Sequence, residues 1–486
     1  MKAILTIISL IFISYTAYPQ TEHPHLFFSS NDIPAIQQKA ETPSGKALLH
    51  MLDWQLNYVC IPVEQTLTSL TNELSQKQKE WNLIDGAFNA GILFLCTEKT
   101  NYLYDAERLL NLWLTFTNHP TDGRQGHKFA FLYDALYHHL PEKSIAGLRE
   151  YMAGTISEEA ISDWKREGYF MGTTLCGRPC DWGALAGGDA MLFYLALEGE
   201  HKNANKHFFE EAYAFLKYFL DYGISPEGHL LAGTGYAGLD LDELGYALWA
   251  MHRKGIKLVE HPNLKYFSVW NAFESIPGIY SFDNRNCSGS YHCGGSSMLT
   301  TLAATGDKVA LWLQQESICP INKSKPCPLT ASMLLYGKNL YNEKIPPPSL
   351  PLSWWSSSIG TVFSRSGWTN GSYFCVTMEP PGGGKAHGDK GSFTFYSHGL
   401  GFATDTREHD WFASYHNTVL IDGKGVYGYG SAKSDAIVRS VLFSDLADFT
   451  HMDLKPAYQY YAENTKTSTN TLKWHGLKYG AGLPFY

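Results

Sequence analysis

The chain has 486 residues, of which 44% are hydrophobic and 17% charged, with a formal net charge of -9 at pH 7. That balance excludes nucleic acid as the expected partner, because a phosphate backbone is bound by a basic surface. It leaves room for an acidic glycan held in a locally basic cleft, and the length exceeds what one hydrophobic core usually serves, so at least two domains are expected.

At the start of the chain Lys2 is followed by an apolar run from Ala3 to Ile13, then by small and polar residues up to Gln20. A run this short does not span a bilayer, and residues 1–20 read as a secretory signal peptide. The expected location is a periplasm or the cell exterior. No cysteine precedes Cys60, which excludes a lipid-modified cysteine at the cleavage site, and no later segment is an uninterrupted apolar span.

Residues 21–344 repeat a helical period. Apolar residues recur at helix spacing over 84–96, 104–116, 128–139, 143–157, 184–197, 205–222 and 239–254. Short breaks such as Thr121-Asp122-Gly123 and Ser225-Pro226-Glu227-Gly228 divide these blocks. Serial helices with short connections predict helical hairpins around a ring or partial ring, an incomplete (α/α) toroid. The Pro-rich stretch at 345–351 reads as a linker.

Beyond it the period shifts towards 2. Strands are predicted over 359–366, 373–378, 392–397, 418–421 and 437–443, with turns at Pro381-Gly382-Gly383-Gly384 and Asp422-Gly423. Residues 352–486 are therefore expected to form an antiparallel β-sandwich, either small or truncated at Tyr486. The predicted fold class is multidomain α+β. The aromatic residues, 13 Trp, 30 Tyr and 26 Phe, suit a carbohydrate cleft and equally suit ordinary core packing.

Nine cysteines in an exported chain allow disulfides. Cys176 with Cys180, Cys287 with Cys293, and Cys319 with Cys327 are close enough in sequence to pair locally, and an odd count leaves at least one thiol free. Cys176 and Cys180 read as a loop staple or buried thiols rather than a zinc pair.

The densest cluster of chemistry is the stretch from His387 to Gly423. It sets His387, Asp405 and His416 among short strands and glycine turns, a pattern suited to a two-histidine, one-carboxylate zinc site. Asp389, Asn417 and Asp422 are candidates for orienting those ligands. The alternative is that these polar residues serve turns and strand ends.

These residues carry a resemblance. The chain resembles the heparinase II/III-type polysaccharide lyases over nearly its whole length after residue 20. The most specific segments are His387-Gly388-Asp389-Lys390-Gly391-Ser392-Phe393 and His416-Asn417-Thr418-Val419-Leu420-Ile421-Asp422-Gly423. His25-Leu26-Phe27-Phe28, Asp32-Ile33-Pro34-Ala35, Phe131-Leu132-Tyr133-Asp134-Ala135-Leu136-Tyr137 and Ser364-Arg365-Ser366-Gly367-Trp368 are similar to further family segments. Pro226-Glu227-Gly228-His229 with Gly233-Thr234-Gly235-Tyr236 resembles the loop and helix start that carry the family's catalytic tyrosine. The resemblance implies a structural metal, in positions matching His387, Asp405 and His416; His398 and His409 match no such position.

It also implies β-elimination on a uronate polymer. The C5 proton is removed and the O4 glycosidic oxygen expelled, which requires the neighbouring carboxylate to be neutralised first. Tyr236 is the expected acid/base, aided by a cation because tyrosine ionises near pH 10. The family's Asn or His neutraliser is replaced here by Cys176-Gly177-Arg178-Pro179-Cys180-Asp181, so Arg178 is the candidate for binding the carboxylate. Lys385 stands where relatives carry the first histidine of a His-x-His pair, and is the candidate for a second positive charge. Tyr291, His292 and Arg407 are candidates for substrate contact. Two other functions compete. A glycoside hydrolase would need two facing carboxylates, for which Asp240, Asp242 and Glu243 are available. A degenerate glycan-binding protein would need none.

Overall fold

The computed structural model describes residues 22–62, 76–116, 125–159, 181–230, 234–277, 297–317, 331–338, 345–377, 388–404, 413–425 and 437–458. Among these, the first part of the chain is helical: α1 (Ile33–Ala40), α2 (Pro43–Gln55), α3 (Gln76–Thr97), α4 (Thr100–Trp113), α5 (Gly126–Ala135), α6 (Glu142–Thr155), α7 (Asp181–Leu197), α8 (Lys206–Tyr222), α9 (Thr234–Arg253), α10 (Phe267–Glu274), α11 (Ser297–Thr305), α12 (Lys308–Ser317) and α13 (Ala331–Leu335). Each helix expected from the 3.6-residue period is present. Where polar side chains end the period, caps do the rest: the side chains of Thr42 and Asn205 accept from the backbone N–H groups of Gly45 and Phe208 to start α2 and α8.

The contacts fix how these helices run. Lys128 of α5 meets Asp85 of α3, and further along Leu132 and Leu136 lie beside Gly91. Both segments advance together, so α3 and α5 are parallel. Gly126 meets Asp189 of α7, and Tyr133 then meets Glu200 just beyond that helix. Gly188 abuts Glu243 of α9, and Glu198 meets Lys254. Asp242 meets Ser297 of α11, and Gly245 accepts from Thr301. Five helices, α3, α5, α7, α9 and α11, are therefore parallel. The helix or helices between each successive pair return the chain, which is an incomplete (α/α) toroid. Two glycines allow the inner helices this close. A Cβ at Gly188 would stand 2.7 Å from the backbone of Glu243, and one at Gly245 would stand 2.4 Å from the N atom of Met298.

After residue 350 the chain forms the five-stranded antiparallel sheet β1 (Ser353–Ser356), β2 (Thr361–Arg365), β3 (Tyr373–Thr377), β4 (Phe393–Ser397) and β5 (Leu400–Ala403), in sequence order, and the hairpin β6 (Ile437–Leu442) with β7 (Phe449–Asp453). With the helical part it has the expected toroid-plus-sandwich architecture. One predicted strand is absent. Residues 418–421 lead into a tight turn instead, closed by an isolated Ile421–Lys424 bridge with Asp422 at φ 52 and Gly423 at φ 70. Hydrogen bonds outcompete the strand there: Asn417 Nδ2 donates to the carbonyls of Phe393 and Thr404, and Thr418 Oγ1 donates to that of Lys390. Residues 345–351 are neither helix nor strand, and Ile345 and Leu350 pack against the core.

The hydrophobic core is continuous from the ring into the sheet. Trp270 and Phe273 of α10 pack on Trp354 and Phe363, at ring distances of 4.9 to 5.7 Å. The Arg365 guanidinium lies 4.1 Å over Trp368 and donates to the carbonyl of Phe273. Glu227, in the turn between α8 and α9, accepts from the hydroxyls of Ser356 and Ser358 in the β1–β2 turn. The α8–α9 turn depends on Gly228, which has φ +86 and whose Cβ would strike the backbone of Tyr266 at 2.4 Å. Cys60, Cys96 and Cys375 are buried, and burial pushes the thiols of both Cys60 and Cys96 up to about 12. The three predicted disulfide pairs and the signal segment lie outside the described residues. Among the described residues no helix is long and apolar enough to cross a membrane.

Candidate active site

Because the inner helices are parallel, their N-termini gather at one end of the ring, and their partial positive charges gather with them. Tyr236 stands in the first turn of α9 at that end. Glu243 follows seven residues later on the same stripe of the helix, about 10 Å along the axis at 1.5 Å per residue.

The helix α5 begins deeper in the ring than its neighbours. Its first N–H, from Gly126, donates to Asp189 Oδ1 at 2.9 Å, and that of His127 donates to Glu243 Oε2 at 2.9 Å. Asp189 and Glu243 sit about two turns inside α7 and α9, so those helices project past the start of α5 by ~12 Å. His127 Nδ1 lies 2.6 Å from Glu243 Oε1, and its ring stacks on Tyr246 with centroids 4.4 Å apart. Lys128 Nζ reaches Asp85 Oδ1 at 2.5 Å. Burial alone would lower this ammonium, but Asp85, with Glu243 and Asp242 behind it, outweighs burial and raises it. Burial likewise disfavours the Glu243 carboxylate, yet the charge and hydrogen bonds of His127 hold it below the usual range.

The same device starts α11. Asp242 Oδ1 accepts from the N–H of Ser297 at 2.8 Å, while burial raises its carboxyl. Carboxylates carried in the middle of inner helices thus cap the N-termini of other inner helices, Asp189 and Glu243 that of α5 and Asp242 that of α11. This role was not legible in the sequence, where Asp242 and Glu243 stood as a hydrolase's carboxylates. Both are spent on backbone N–H groups, which leaves neither poised across a scissile bond; the side chain of Asp240 lies outside the described residues.

Of the predicted site residues, His416 is described with its side chain, and Tyr236 by its backbone in α9. Arg178, Lys385, His387, Tyr291, His292, Asp405 and Arg407 lie outside the described residues. His416 is buried, 8% exposed. Its neighbours Asn417 and Thr418 bond the carbonyls of Thr404, adjacent to Asp405, and of Lys390, three residues after His387. Asp389 is buried beside that segment, whereas Asp422 is an exposed turn residue. His398 occupies the β4–β5 turn with φ 52 and bonds Ser397.

A second polar group lies at the opposite end of the ring, where α5 terminates. His23, His25 and Asp134 bring ligand-type atoms within 4.8 Å of one another, an arrangement able to hold a metal ion. Burial would lower His23, but hydrogen bonds to Asp134 and Glu200 outweigh it and push its imidazole up to about 9; burial takes His25 down to about 4. The local sign of this group was the pair His23-Pro24-His25, two imidazoles one residue apart.

No protein-family model and no curated protein sequence matches the chain. The fold is similar to solved structures. A mutant of the heparan sulfate lyase HepC from Pedobacter heparinus aligns with a TM-score of 0.50 at 12% identity, over 80% of this chain and 60% of that one. A heparinase III gene product aligns with a TM-score of 0.50 at 11% identity, over 87% of this chain and 70% of that one. The chain thus spans about 60% of the length of the heparan sulfate lyase it matches, and at these identities the likeness is one of fold: this chain has a heparinase-like fold.

Proposed function

We propose that the protein is an exported, periplasmic or secreted polysaccharide lyase of the heparinase II/III type, acting on a uronic-acid-containing polysaccharide by β-elimination. The observation that carries this reading is the position of Tyr236. It stands in the first turn of α9, at the end of a heparinase-like ring where the N-termini of α3, α7 and α9 project past the capped starts of α5 and α11. Converging helix dipoles favour an anionic polymer there, and the solved structures of this fold are named for heparan sulfate lyase and heparinase III.

In the mechanism Arg178 pairs with the uronate carboxylate, and Lys385 adds positive charge beside it. Neutralisation acidifies the C5 proton, which Tyr236 removes; the C4–O4 bond then breaks and Tyr236 returns the proton to the leaving oxygen. The product carries a 4,5-unsaturated uronyl end. Tyr291, His292 and Arg407 contact the flanking sugars. A structural zinc held by His387, Asp405 and His416 fits the ties that Asn417 and Thr418 make to the backbone beside those positions; it would pin the strands and take no part in proton transfer.

The test is incubation with heparan sulfate, chondroitin, hyaluronan, alginate, glucuronan and ulvan. One of them should yield ultraviolet-absorbing unsaturated ends, and Tyr236→Phe should lower that rate by at least ~100-fold. Unchanged activity of Tyr236→Phe would refute the mechanism. Tight binding of a uronate polymer with no rise in absorbance would identify a glycan-binding protein instead.

A further inference from the structure

We propose that His23, His25 and Asp134 bind a structural zinc ion that clasps the start of the described chain to the ring. Asp134 stands near the end of α5, about 10 Å from His127 along the helix axis. The site is therefore remote from the gathered N-termini and separate from the sheet.

The donor set is already positioned. The Asp134 carboxylate accepts from the backbone N–H groups of His25 at 3.0 Å and Leu26 at 2.9 Å, which fix its plane. His23 Nδ1 lies 2.7 Å and His25 Nε2 3.7 Å from Asp134 Oδ1. Both ring nitrogens of His25 are buried with no hydrogen-bond partner. An imidazole left so bears the cost of its lost hydration, and a bound ion is one of the recognised remedies. Donor atoms around a tetrahedral zinc stand ~3.3 Å apart. The His25–Asp134 spacing is close to this, and His23 needs to open by only ~0.6 Å.

Around the donors the structure has the surroundings that zinc histidines use. His23 Nε2 lies 2.7 Å from Glu200 Oε1, a carboxylate that would fix the ring and its tautomer. Glu200 is held in turn by the hydroxyl of Tyr133, and that hydroxyl accepts from Arg149 Nε at 3.1 Å. His23 stacks on Tyr137 with centroids 4.0 Å apart. Two imidazoles and one carboxylate, with water in the fourth position, make a nitrogen-and-oxygen set that suits zinc.

The test uses the full chain, stripped with a chelator and reloaded with Zn2+. Metal is counted by plasma mass spectrometry in a His416→Ala background, which removes the site proposed in the sheet. His416→Ala should retain about one zinc per chain and melt several degrees higher with zinc, as linkage requires. Adding His25→Ala should abolish both effects. The His25 side chain makes no hydrogen bond, so this variant should keep its fold, which circular dichroism checks. Glu200→Gln should weaken zinc binding by about 10–100-fold. Equal zinc content and equal thermal gain with and without His25 would overturn the proposal, as would a folded His416→Ala chain that binds no zinc.

Discussion

The two ends of the helical ring hold similar side chains and treat them in opposite ways. At one end Asp189, Asp242 and Glu243 accept from the first N–H groups of α5 and α11, and Glu243 also bonds the His127 ring. At the other, Asp134 and Glu200 stand where α5 and α7 finish, among helix ends that offer carbonyls rather than N–H groups. The N–H groups from which Asp134 accepts there come from the start of the described chain, at His25 and Leu26, and both carboxylates also bond His23. Helix polarity thus decides where a buried carboxylate finds its N–H donors, in a neighbouring helix start or in another segment of the chain. It also explains why the acidic residues near Tyr236 need not repel an acidic polymer: their charge is absorbed by helix N-termini.

The comparison breaks most visibly at Glu243. Truncation to Ala strands the His127 ring and the α5 N-terminus in a buried setting, so a loss of ~3–5 kcal/mol is expected in urea denaturation. The pH dependence has a definite sign. The Glu243 carboxyl is held below its usual value in the folded chain, so its contribution is present above about pH 4.5 and is lost as pH falls through the folded value. A Glu243→Gln variant should show a shallower loss of stability on acidification. An equally steep acid transition would mean that the carboxylate is not what secures α5.

How far this was legible in the sequence follows from distance along the chain. The helices are local, and each block of 3.6-residue period became a helix. The sheet was legible where β-branched and aromatic residues cluster, as at Val362, Phe363 and Tyr373. It failed at residues 418–421, where Asn417 and Thr418 bond carbonyls that no local pattern reveals. The capping carboxylates were illegible for the same reason: His127 and Glu243 are 116 positions apart. A carboxylate next to another near a helix start looks the same whether it faces a sugar or a neighbouring helix. The clasp was half legible, since His23 and His25 are neighbours, but Asp134 joins them only in the fold.

Asp242 sharpens the contrast with a smaller effect. It caps α11 as Glu243 caps α5, yet here burial outweighs the Ser297 hydrogen bond and the charge of His127 and raises its carboxyl. An amide supplies the same acceptor to the N–H of Ser297 without the charge. Asp242→Asn should therefore cost no more than ~1 kcal/mol, and chemical denaturation would measure it. A loss as large as that of Glu243→Ala would show that the charge itself, rather than the acceptor, holds α11.

The smallest effect is expected where the sign of the charge is wrong for its place. Lys206 opens α8 and lies 3.4 Å from Glu210, with both side chains well exposed. An exposed pair four residues apart contributes ~0.3–0.5 kcal/mol. A cation in the first turn of a helix opposes the dipole by a comparable ~0.3–1 kcal/mol at low salt. Lys206→Ala should thus be neutral or slightly stabilising in thermal melts, and any gain should fade as salt is added. Clear destabilisation would mean that a positive charge is tolerated at an exposed helix N-terminus, and the polarity rule drawn from Asp242 and Glu243 would then hold only inside the ring.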